Sequence, residues 1–224
     1  MFSINSPVSR PGVRRLPMYL RFARKMRDKG KARLSCAQIS NALGGLAVQI
    51  RKDLAITGLQ GKPKIGYEVD QMIDSIEKFL GWDEPIVSIL IGVEYLGEAI
   101  LTFQILHDYG LRVVAAFSDN PQKIGTTIGY TPVYSRDKLA EEGNKTNAAV
   151  CILAADETLV QEATDLALQV KSIQGVWNLS PVKPNLPPHI EYEEVRLGGS
   201  LALLTSKIKQ NRSSSPTDET KEEE

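Results

Sequence analysis

The sequence predicts an α/β protein in three parts: a basic helical N-terminal domain, a parallel α/β domain and a C-terminal helix. The charge is divided unevenly along the chain. The first 66 residues contain helical repeats separated by glycine turns, and later segments alternate apolar strands with amphipathic helices. The 224 residues are enough for two domains that each bury a core.

The two signs of charge are separated along the chain, although 27 Lys and Arg balance 27 Asp and Glu. The first 66 residues contain fourteen Lys and Arg against two acids, a formal charge of +12, so the remainder carries −12. A segment this basic repels itself and favours a polyanionic partner. The division predicts a nucleic-acid or membrane-surface module joined to a domain with another role.

The basic segment has the order of a helix-turn-helix. Apolar residues at helical spacing predict a first helix over Leu16–Asp28, with Pro17 in its first turn. Ser35 is a suitable N-cap for a short second helix ending at Leu43, and a third helix is predicted over Ala47–Ile56. Such a third helix enters the major groove, where amide and guanidinium groups bond base edges. Its candidate contact residues are Gln49, Arg51 and Lys52, which Asp53 can brace.

The next segment predicts a wing and a linker. Residues 58–67 contain three glycines, a proline and two lysines, which is typical of a short hairpin. Lys62 and Lys64 on such a hairpin reach phosphate or the minor groove. The amphipathic stretch 69–80 predicts a linker helix.

Residues 86–179 predict a Rossmann-like sheet. The apolar run Ile86–Ile91 is typical of a strand buried on both faces, and it leads through Gly92–Gly97 into a helix from about Glu98 to Tyr109. Alternation of strands and helices then continues, which predicts a parallel sheet. The further predicted strands are Arg112–Phe117, Ala148–Ala154 and Gly175–Leu179, and the further helices are Ser135–Glu142 and Glu157–Lys171.

The first turn of this sheet resembles a phosphate loop that lacks its middle glycine. Gly92 and Gly97 occupy the first and third glycine positions, whereas Glu94 occupies the second, where the backbone approaches a pyrophosphate. Two like charges about 4 Å apart at a surface-like dielectric cost about 4 kcal/mol, or about a thousandfold in affinity. The second strand ends at Ser118 instead of the usual ribose-binding acid. We therefore expect weakened dinucleotide binding.

Other residue types exclude several functions. The two cysteines, Cys36 and Cys151, are far apart and suit a reducing cytoplasm. Neither His107 nor His189 has neighbours at metal-ligand spacing, and no nucleophile–base pair supports catalysis. No apolar run approaches the roughly 18 residues of a membrane span, and the basic N-terminus is unlike a secretory signal. The sequence thus predicts neither a metal site, nor a membrane protein, nor an enzyme.

The C-terminal region predicts an apolar helix followed by a disordered acidic tail. The helix needs a surface to cover its apolar side chains, and either its own sheet or another subunit can provide one. Those side chains are Leu197, Leu201, Leu203, Leu204 and Ile208.

Several segments together resemble the Rex family of redox-sensing bacterial repressors. They are RLPMYLRFARKM, AVQIRKDL, GLQGKPKIGY, VSILIGVEYLGEAIL, VVAAFSDNPQKIG and WNLSPVKPNLPPHIEYEEV, which extend over about residues 14–208. The resemblance implies a homodimer that binds a palindromic DNA operator when NAD+ prevails and releases it when NADH binds. It also implies that the C-terminal helix swaps between subunits.

The resemblance also implies the site residues. Contacts to DNA fall on Arg14, Arg15, Gln49, Arg51, Lys52, Lys62 and Lys64. Contacts to NAD(H) fall on Gly92, Val93, Glu94, Tyr95, Leu96, Gly97, Ser118, Asn178 and Pro181, with Ser180 beside them. Besides Glu94 and Ser118, this chain departs from the family at Leu153–Asp156 and at Arg196, where an aspartate usually couples the domains.

The sequence therefore predicts a cytoplasmic, DNA-binding transcriptional repressor. The expected parts are a winged-helix domain with its linker at 1–80, a Rossmann-like domain at 81–195, a swapped dimer helix at 196–210 and the tail at 211–224. Two alternatives are a small nicotinamide- or CoA-handling oxidoreductase on the same sheet and a DNA-bound scaffold without a ligand. The operator sequence and the regulated genes are outside what these residues predict.

Overall fold

The computed structural model describes residues 10–213, which form two compact units. The first contains the described residues up to Ile86 together with Phe103–Arg112, and the second contains Val87–Thr102 and the chain from Val113 onward. The division lies near the predicted limit at residue 80, but it assigns to the first unit a short segment, 103–112, that the sequence places in the second.

The first unit contains four helices and a two-stranded sheet among its described residues. One apolar core joins all four helices, with Leu20, Ile39, Leu54 and Met72 fully buried. The last helix packs along the first, so it is an integral part of this unit and more than the linker predicted. The elements are α1 (Arg10–Asp28), β1 (Arg33–Leu34), α2 (Cys36–Leu43), α3 (Ala47–Ala55), β2 (Tyr67–Glu68) and α4 (Val69–Leu80).

Two local predictions for this unit have opposite outcomes. The Ser35 cap of α2 is confirmed: its hydroxyl accepts from the Gln38 amide at 3.2 Å, and the Gln38 side chain accepts from the Ser35 N–H at 2.8 Å. Pro17 was placed wrongly, because α1 begins at Arg10 and encloses it. The missing N–H costs a helix hydrogen bond, and the buried face around Leu16 and Leu20 offsets that cost.

The predicted wing hairpin is only partly correct. Within residues 58–67 the single bridge joins Lys62 and Gly66. The strand pair is instead β1 with β2, in antiparallel register with Leu34 opposite Tyr67. A Cβ at Gly66 would lie 2.3 Å from the Leu34 carbonyl oxygen, and its φ is +91°, so the close approach of the two segments requires glycine.

The buried carboxylate of Asp53 joins α1 to α3. Asp53 is 2% exposed and accepts bonds from Arg15 at 2.7 and 2.8 Å, from the Tyr19 hydroxyl at 2.8 Å and from the Gln49 amide at 2.9 Å. Burial opposes its ionisation, but these donors outweigh burial and lower the pKa of Asp53. Burial and the bond to Asp53 raise the pKa of Tyr19 to about 12.

The second unit is built on a seven-stranded sheet. Its strand order is β5-β6-β4-β3-β7-β8-β9, in which the short β5 is antiparallel to β6 and the other registered pairs are parallel. Without β5 this is the doubly wound order of dinucleotide-binding sheets. The strands are β3 (Ile86–Ile91), β4 (Leu111–Ser118), β5 (Thr127–Ile128), β6 (Thr131–Ser135), β7 (Val150–Leu153), β8 (Gly175–Asn178) and β9 (Glu191–Glu194).

The sequence found the central strands and missed those at the edges. Strands β6 and β9 have the sequences TPVYS and EYEE, which lack the apolar run of a strand buried on both faces. The helix predicted from Glu98 to Tyr109 is instead α5 (Tyr95–Thr102) followed by a separate 3-10 segment, Gln104–Tyr109. The remaining helices are α6 (Leu139–Thr146), α7 (Val160–Ala167) and α8 (Leu197–Ser213).

Two further predictions concern the cysteines and the C-terminus. Cys151 lies in the sheet core, as expected, and burial raises the pKa of its thiol to about 12. Helix α8 extends through Asn211–Ser213, which the sequence assigned to the disordered tail, and the rest of that tail lies outside the described residues. Within residues 10–213, no helix combines the length and apolar character of a membrane span.

We expect Asp53→Ala to lower the free energy of unfolding by about 3 kcal/mol, because it leaves the buried Tyr19 hydroxyl and the half-buried Arg15 without their acceptor. Arg15 keeps 34% of its side chain exposed, so water replaces part of that loss. Denaturant unfolding measures the difference. The pKa of Asp53 is lowered in the folded state. The contribution of this carboxylate to the free energy of unfolding is therefore present above its unfolded-state pKa of about 3.9 and is lost as the pH falls through the folded-state pKa. Asp28→Ala, at an exposed acid of α1, is the control, and equal stability of the two variants would contradict the prediction.

Candidate nucleic-acid interface and nucleotide cleft

The first unit presents a cationic groove between α3 and the loop of residues 58–66. The groove encloses about 650 Å³, and its lining includes Arg51 from α3 and Lys62 and Lys64 from the loop. All three side chains are exposed, as is Lys52 on the same helix. The tight turn before α3 uses Gly44 and Gly45, both at positive φ. Arg51 of the third helix and both lysines of the predicted wing thus lie around one concave surface, which Lys52 does not line.

Besides Lys52, three other predicted DNA-contacting residues do not line that groove. Arg15 and Gln49 both donate to Asp53 and line a second hollow of about 290 Å³ beside the Gly44–Gly45 turn. The sequence predicts that Asp53 braces Gln49, Arg51 and Lys52. In the structure its carboxylate accepts from Gln49 and Arg15, and it accepts from neither Arg51 nor Lys52. Its bond to one amide hydrogen fixes the Gln49 side chain, whose oxygen remains an acceptor. Arg14 is exposed on α1.

The second unit contains a cleft of about 290 Å³ at the carboxyl ends of β3, β4 and β7. This is where the strand order reverses, which is the usual ligand position in doubly wound sheets. The lining residues are Ile91, Gly92, Val93, Glu94, Phe117, Ser118, Asp119, Asn120, Arg136, Ala154, Ala155, Asp156 and Leu159. Three of the predicted loop residues and Ser118 are therefore brought together.

The turn from β3 to α5 requires glycine at both ends. Gly92 has φ +94°, and a Cβ there would lie 2.4 Å from the Ala154 carbonyl oxygen. A Cβ at Gly97 would lie 1.8 Å from the Gly92 carbonyl oxygen. The first glycine thus makes the tight turn and the last one lets the helix pack on it, as the phosphate-loop pattern predicts.

Glu94 brings a carboxylate into this cleft. Its Oε1 accepts from the Asn120 side-chain amide at 3.1 Å, and Asn120 is itself fixed because its N–H donates to the Ser118 hydroxyl at 3.0 Å. Of the other loop residues, Val93 is buried, whereas Tyr95 is 92% and Leu96 44% exposed and neither lines the cleft. The loop therefore has the backbone of a phosphate site and an acidic side chain at its middle position.

Asn178 and Pro181 do not reach the cleft. The buried Asn178 amide donates to the Val182 carbonyl at 2.8 Å and accepts from the Ser180 N–H at 2.9 Å, so it shapes the turn after β8. Pro181 is exposed. Ser180 connects this turn to the cleft, since its hydroxyl donates at 2.7 Å to the carbonyl of Ala155, a lining residue. Arg196, the charge-reversed position, is exposed and pairs with Glu194.

Sequence reasoning missed Arg136 and Asn120 as cleft residues. Arg136 follows β6, whose last residue the sequence pattern places at the start of a helix, so the position of Arg136 at the carboxyl edge of the sheet depends on the fold. Asn120 follows Ser118 by two residues and signals a turn in sequence, but its bond to Glu94 depends on the fold. Among residues 10–213, no three His, Cys, Asp or Glu side chains are grouped to hold a metal ion.

Both halves of the chain are similar to known families. Residues 7–55 match a family described as "Putative DNA-binding protein N-terminus", and residues 83–182 match the "CoA binding domain". The redox-sensing transcriptional repressor Rex of Treponema denticola is 35% identical to this chain over 194 residues. The match covers 87% of this chain and 92% of the Treponema protein. This chain belongs to the Rex family. The Rex protein of Bacillus subtilis is 34% identical over 204 residues, 91% of this chain and 94% of its own.

Solved Rex structures are similar to this chain over most of its length. RSP, a Rex-family repressor solved with β-NAD+ and operator DNA, has a TM-score of 0.82 at 26% identity and covers 93% of this chain and 95% of its own. RSP with β-NADH has a TM-score of 0.80, with 93% and 97% covered. The family resemblance and the fold class expected from the sequence are therefore confirmed.

We expect Gly97→Ala to destabilise this Rex-family protein by about 3 kcal/mol, because the new methyl meets backbone that cannot move aside. Alanine usually stabilises a helix relative to glycine, so a loss of stability identifies the close packing. Gly198→Ala in α8, where the added atom meets nothing within 4 Å, is the matched control. Thermal unfolding of both variants distinguishes the sites; a stabilised Gly97→Ala protein would show that the loop has room.

Proposed function

We propose that this chain is a homodimeric, DNA-binding transcriptional repressor of the cytoplasm, whose hold on a palindromic operator responds to the NADH/NAD+ ratio. The observation that carries the proposal is the pairing, in one chain, of a cationic helix–wing groove with a glycine-turn cleft on a doubly wound sheet. The relatives' names and the operator and cofactor complexes of RSP support the same activity. The described cysteines are unpaired thiols, which suits a reducing compartment.

The groove of the first unit supports the DNA-binding part. Arg51 on an exposed helix face suits a bidentate contact to guanine, and Lys62 and Lys64 suit phosphate contacts from the wing. Lys62 and Arg33 lie 3.8 and 3.4 Å from Glu68, so this carboxylate offsets part of the wing's charge. Arg15 acts indirectly in this proposal, as the group that holds α1 against α3 through Asp53.

Helix α8 supports the dimeric part. Leu201, Leu203 and Leu204 are each more than half exposed, and Ile208 is 44% exposed. Exposing so many large apolar side chains to water is unfavourable. Packing α8 against a second copy of the chain would bury these side chains. Two recognition helices in a dimer match two half-sites of a palindrome about one helical turn of DNA apart.

The cleft fits a dinucleotide at Gly92 and Gly97 and opposes it at Glu94. Gly92 makes the tight turn of a phosphate loop and Gly97 its close helix packing, whereas the Glu94 carboxylate adds like charge at the position where the backbone would approach a pyrophosphate. NAD(H), when bound, would supply the redox signal, and the chain's own residues set how tightly it is held. The family consists of repressors, which decides against the oxidoreductase alternative. A DNA-bound protein without a ligand is the alternative that Glu94 favours.

Operator titration tests the DNA-binding part. We expect Arg51→Gln to weaken binding by about 1–3 kcal/mol and to relax preference at one base pair, because it removes a bidentate base contact. Lys64→Gln should weaken all sequences alike and reduce the slope of log K against log salt by about 0.9, the contribution of one phosphate. Fluorescence anisotropy with a palindromic duplex and its single half-site measures both.

Lys171→Gln removes an exposed cation from the second unit and is the charge-matched control for these two variants. Parent protein that binds palindrome, half-site and random duplex alike at physiological salt would overturn the repressor assignment.

Glu94→Gly tests the cofactor part. We expect NADH affinity to rise up to about a thousandfold by calorimetry, because a like charge about 4 Å from phosphate costs about 4 kcal/mol at a surface-like dielectric. Glu94→Gln removes the charge and keeps the size, so it should recover only the electrostatic share. Operator release by NADH should strengthen in parallel. Sub-micromolar NADH binding by the parent, unchanged in the glycine variant, would show that the carboxylate does not oppose the cofactor.

A further inference from the structure

The start of α3 exposes two large apolar side chains to solvent. Leu46, which immediately precedes the helix, is 75% exposed, and Val48 in the first turn is 61% exposed. Within residues 10–80, no other large apolar side chain is exposed to the same degree. Single apolar side chains are common on protein surfaces, but the N-terminal end of a recognition helix is the part that reaches base edges. These two side chains therefore lie where the proposed recognition helix meets DNA.

The stability of α3 does not explain either side chain. Leu46 has the φ of −97° and ψ of 134° of an N-cap residue, and its carbonyl accepts from the Ile50 N–H at 3.1 Å. Serine, threonine, aspartate or asparagine at this position would accept a bond from an N–H of the first turn, whereas leucine has no side-chain oxygen to do so. Val48 is β-branched and is a weaker helix former than alanine. Both residues therefore favour contact with another molecule over stability of the helix.

Val48 lies on the face of α3 that carries the cations. Ile50 and Leu54 are buried on the opposite face of the helix. Arg51 and Lys52 follow Val48 by three and four residues, the spacing of neighbours on a helix surface, and both are exposed. A duplex that is attracted to the two cations therefore meets the valine side chain on the same face.

Thymine offers the matching chemistry. Among the groups that base pairs present in the major groove, its C5 methyl is the apolar one, and packing an aliphatic side chain against it removes apolar surface of both from water. We propose that Val48 and Leu46 read thymine methyl groups in each half-site of the operator, as specificity-determining residues beside the hydrogen-bonding candidates Gln49 and Arg51. The proposal rests on the proposed function, since it names the base chemistry that α3 recognises.

Replacement of thymine by uracil tests the proposal, because uracil lacks the C5 methyl and keeps every hydrogen-bonding group of the base. The probe is a duplex enriched from a random-sequence library by the full-length protein, with each thymine of one half-site replaced singly. We expect at least one replacement to weaken binding by the parent about fourfold, the equivalent of one buried methyl group. In Val48→Ser the replacement at the thymine read by Val48 should change the affinity by less than about twofold, the usual error of additivity.

Leu46→Ser separates a DNA contact from a structural role. Serine can cap α3, so we expect the midpoint of thermal unfolding to rise while the affinity for the enriched duplex falls about fourfold. A leucine that served only the fold would not produce these opposite changes. Val195→Ser, at an exposed valine of the second unit, is the control and should keep the parent's full response to uracil.

Three results would overturn the inference: no uracil replacement that weakens binding by the parent, a full uracil response in both Val48→Ser and Leu46→Ser, or loss of the parent's oligomeric state in either variant. The last result, measured by sedimentation, would assign these side chains to an interface between copies of the chain. Tight binding of the enriched duplex without a uracil response rejects this inference and leaves the DNA-binding function intact. Failure to enrich any sequence would overturn both.

Discussion

The close approach of backbone at the turn from β3 to α5 is the constraint on which the nucleotide half of the molecule depends. A Cβ at Gly92 would meet the backbone of the loop after β7, and one at Gly97 would meet Gly92 itself. Because neither can be added, the loop has one course, and that course directs the middle position of the loop toward the cleft. The side chain of Glu94 is placed there by the same geometry that normally brings backbone to phosphate.

The DNA-binding half depends on a different device, a buried carboxylate surrounded by donors. Asp53 takes bonds from two residues of α1 and one of α3, so the recognition helix is fixed against the first helix by directional polar bonds as well as by the apolar core. A buried charge with several donors is costly to disturb, and it specifies one arrangement of the two helices. The exposed cations of α3 and the wing are thereby presented from a fixed frame.

Two of the departures from the family pattern share a location. Glu94 and Ser118 line one cleft, and each changes its charge: Glu94 adds a carboxylate, and Ser118 is neutral where an acid is usual. Charge is thus shifted from the ribose end of the cleft to its phosphate loop. Changes of this kind act on which ligand is held and how tightly, while the groove of the first unit keeps its cations.

The sequence by itself determined the class of protein and its strongest local elements. The +12 segment, the capping residue Ser35, the buried strand Ile86–Ile91 and the glycines at 92 and 97 are all local signals, because charge, capping and backbone φ act over a few residues. Only the tertiary structure decided which residues meet across the fold. The edge strands β6 and β9 lack a buried apolar run, so their pairing depends on neighbours far along the chain. Arg136 reaches the cleft for that reason. Asn178 does not line the cleft, because its side-chain amide bonds to Val182 and Ser180 in the turn that follows β8.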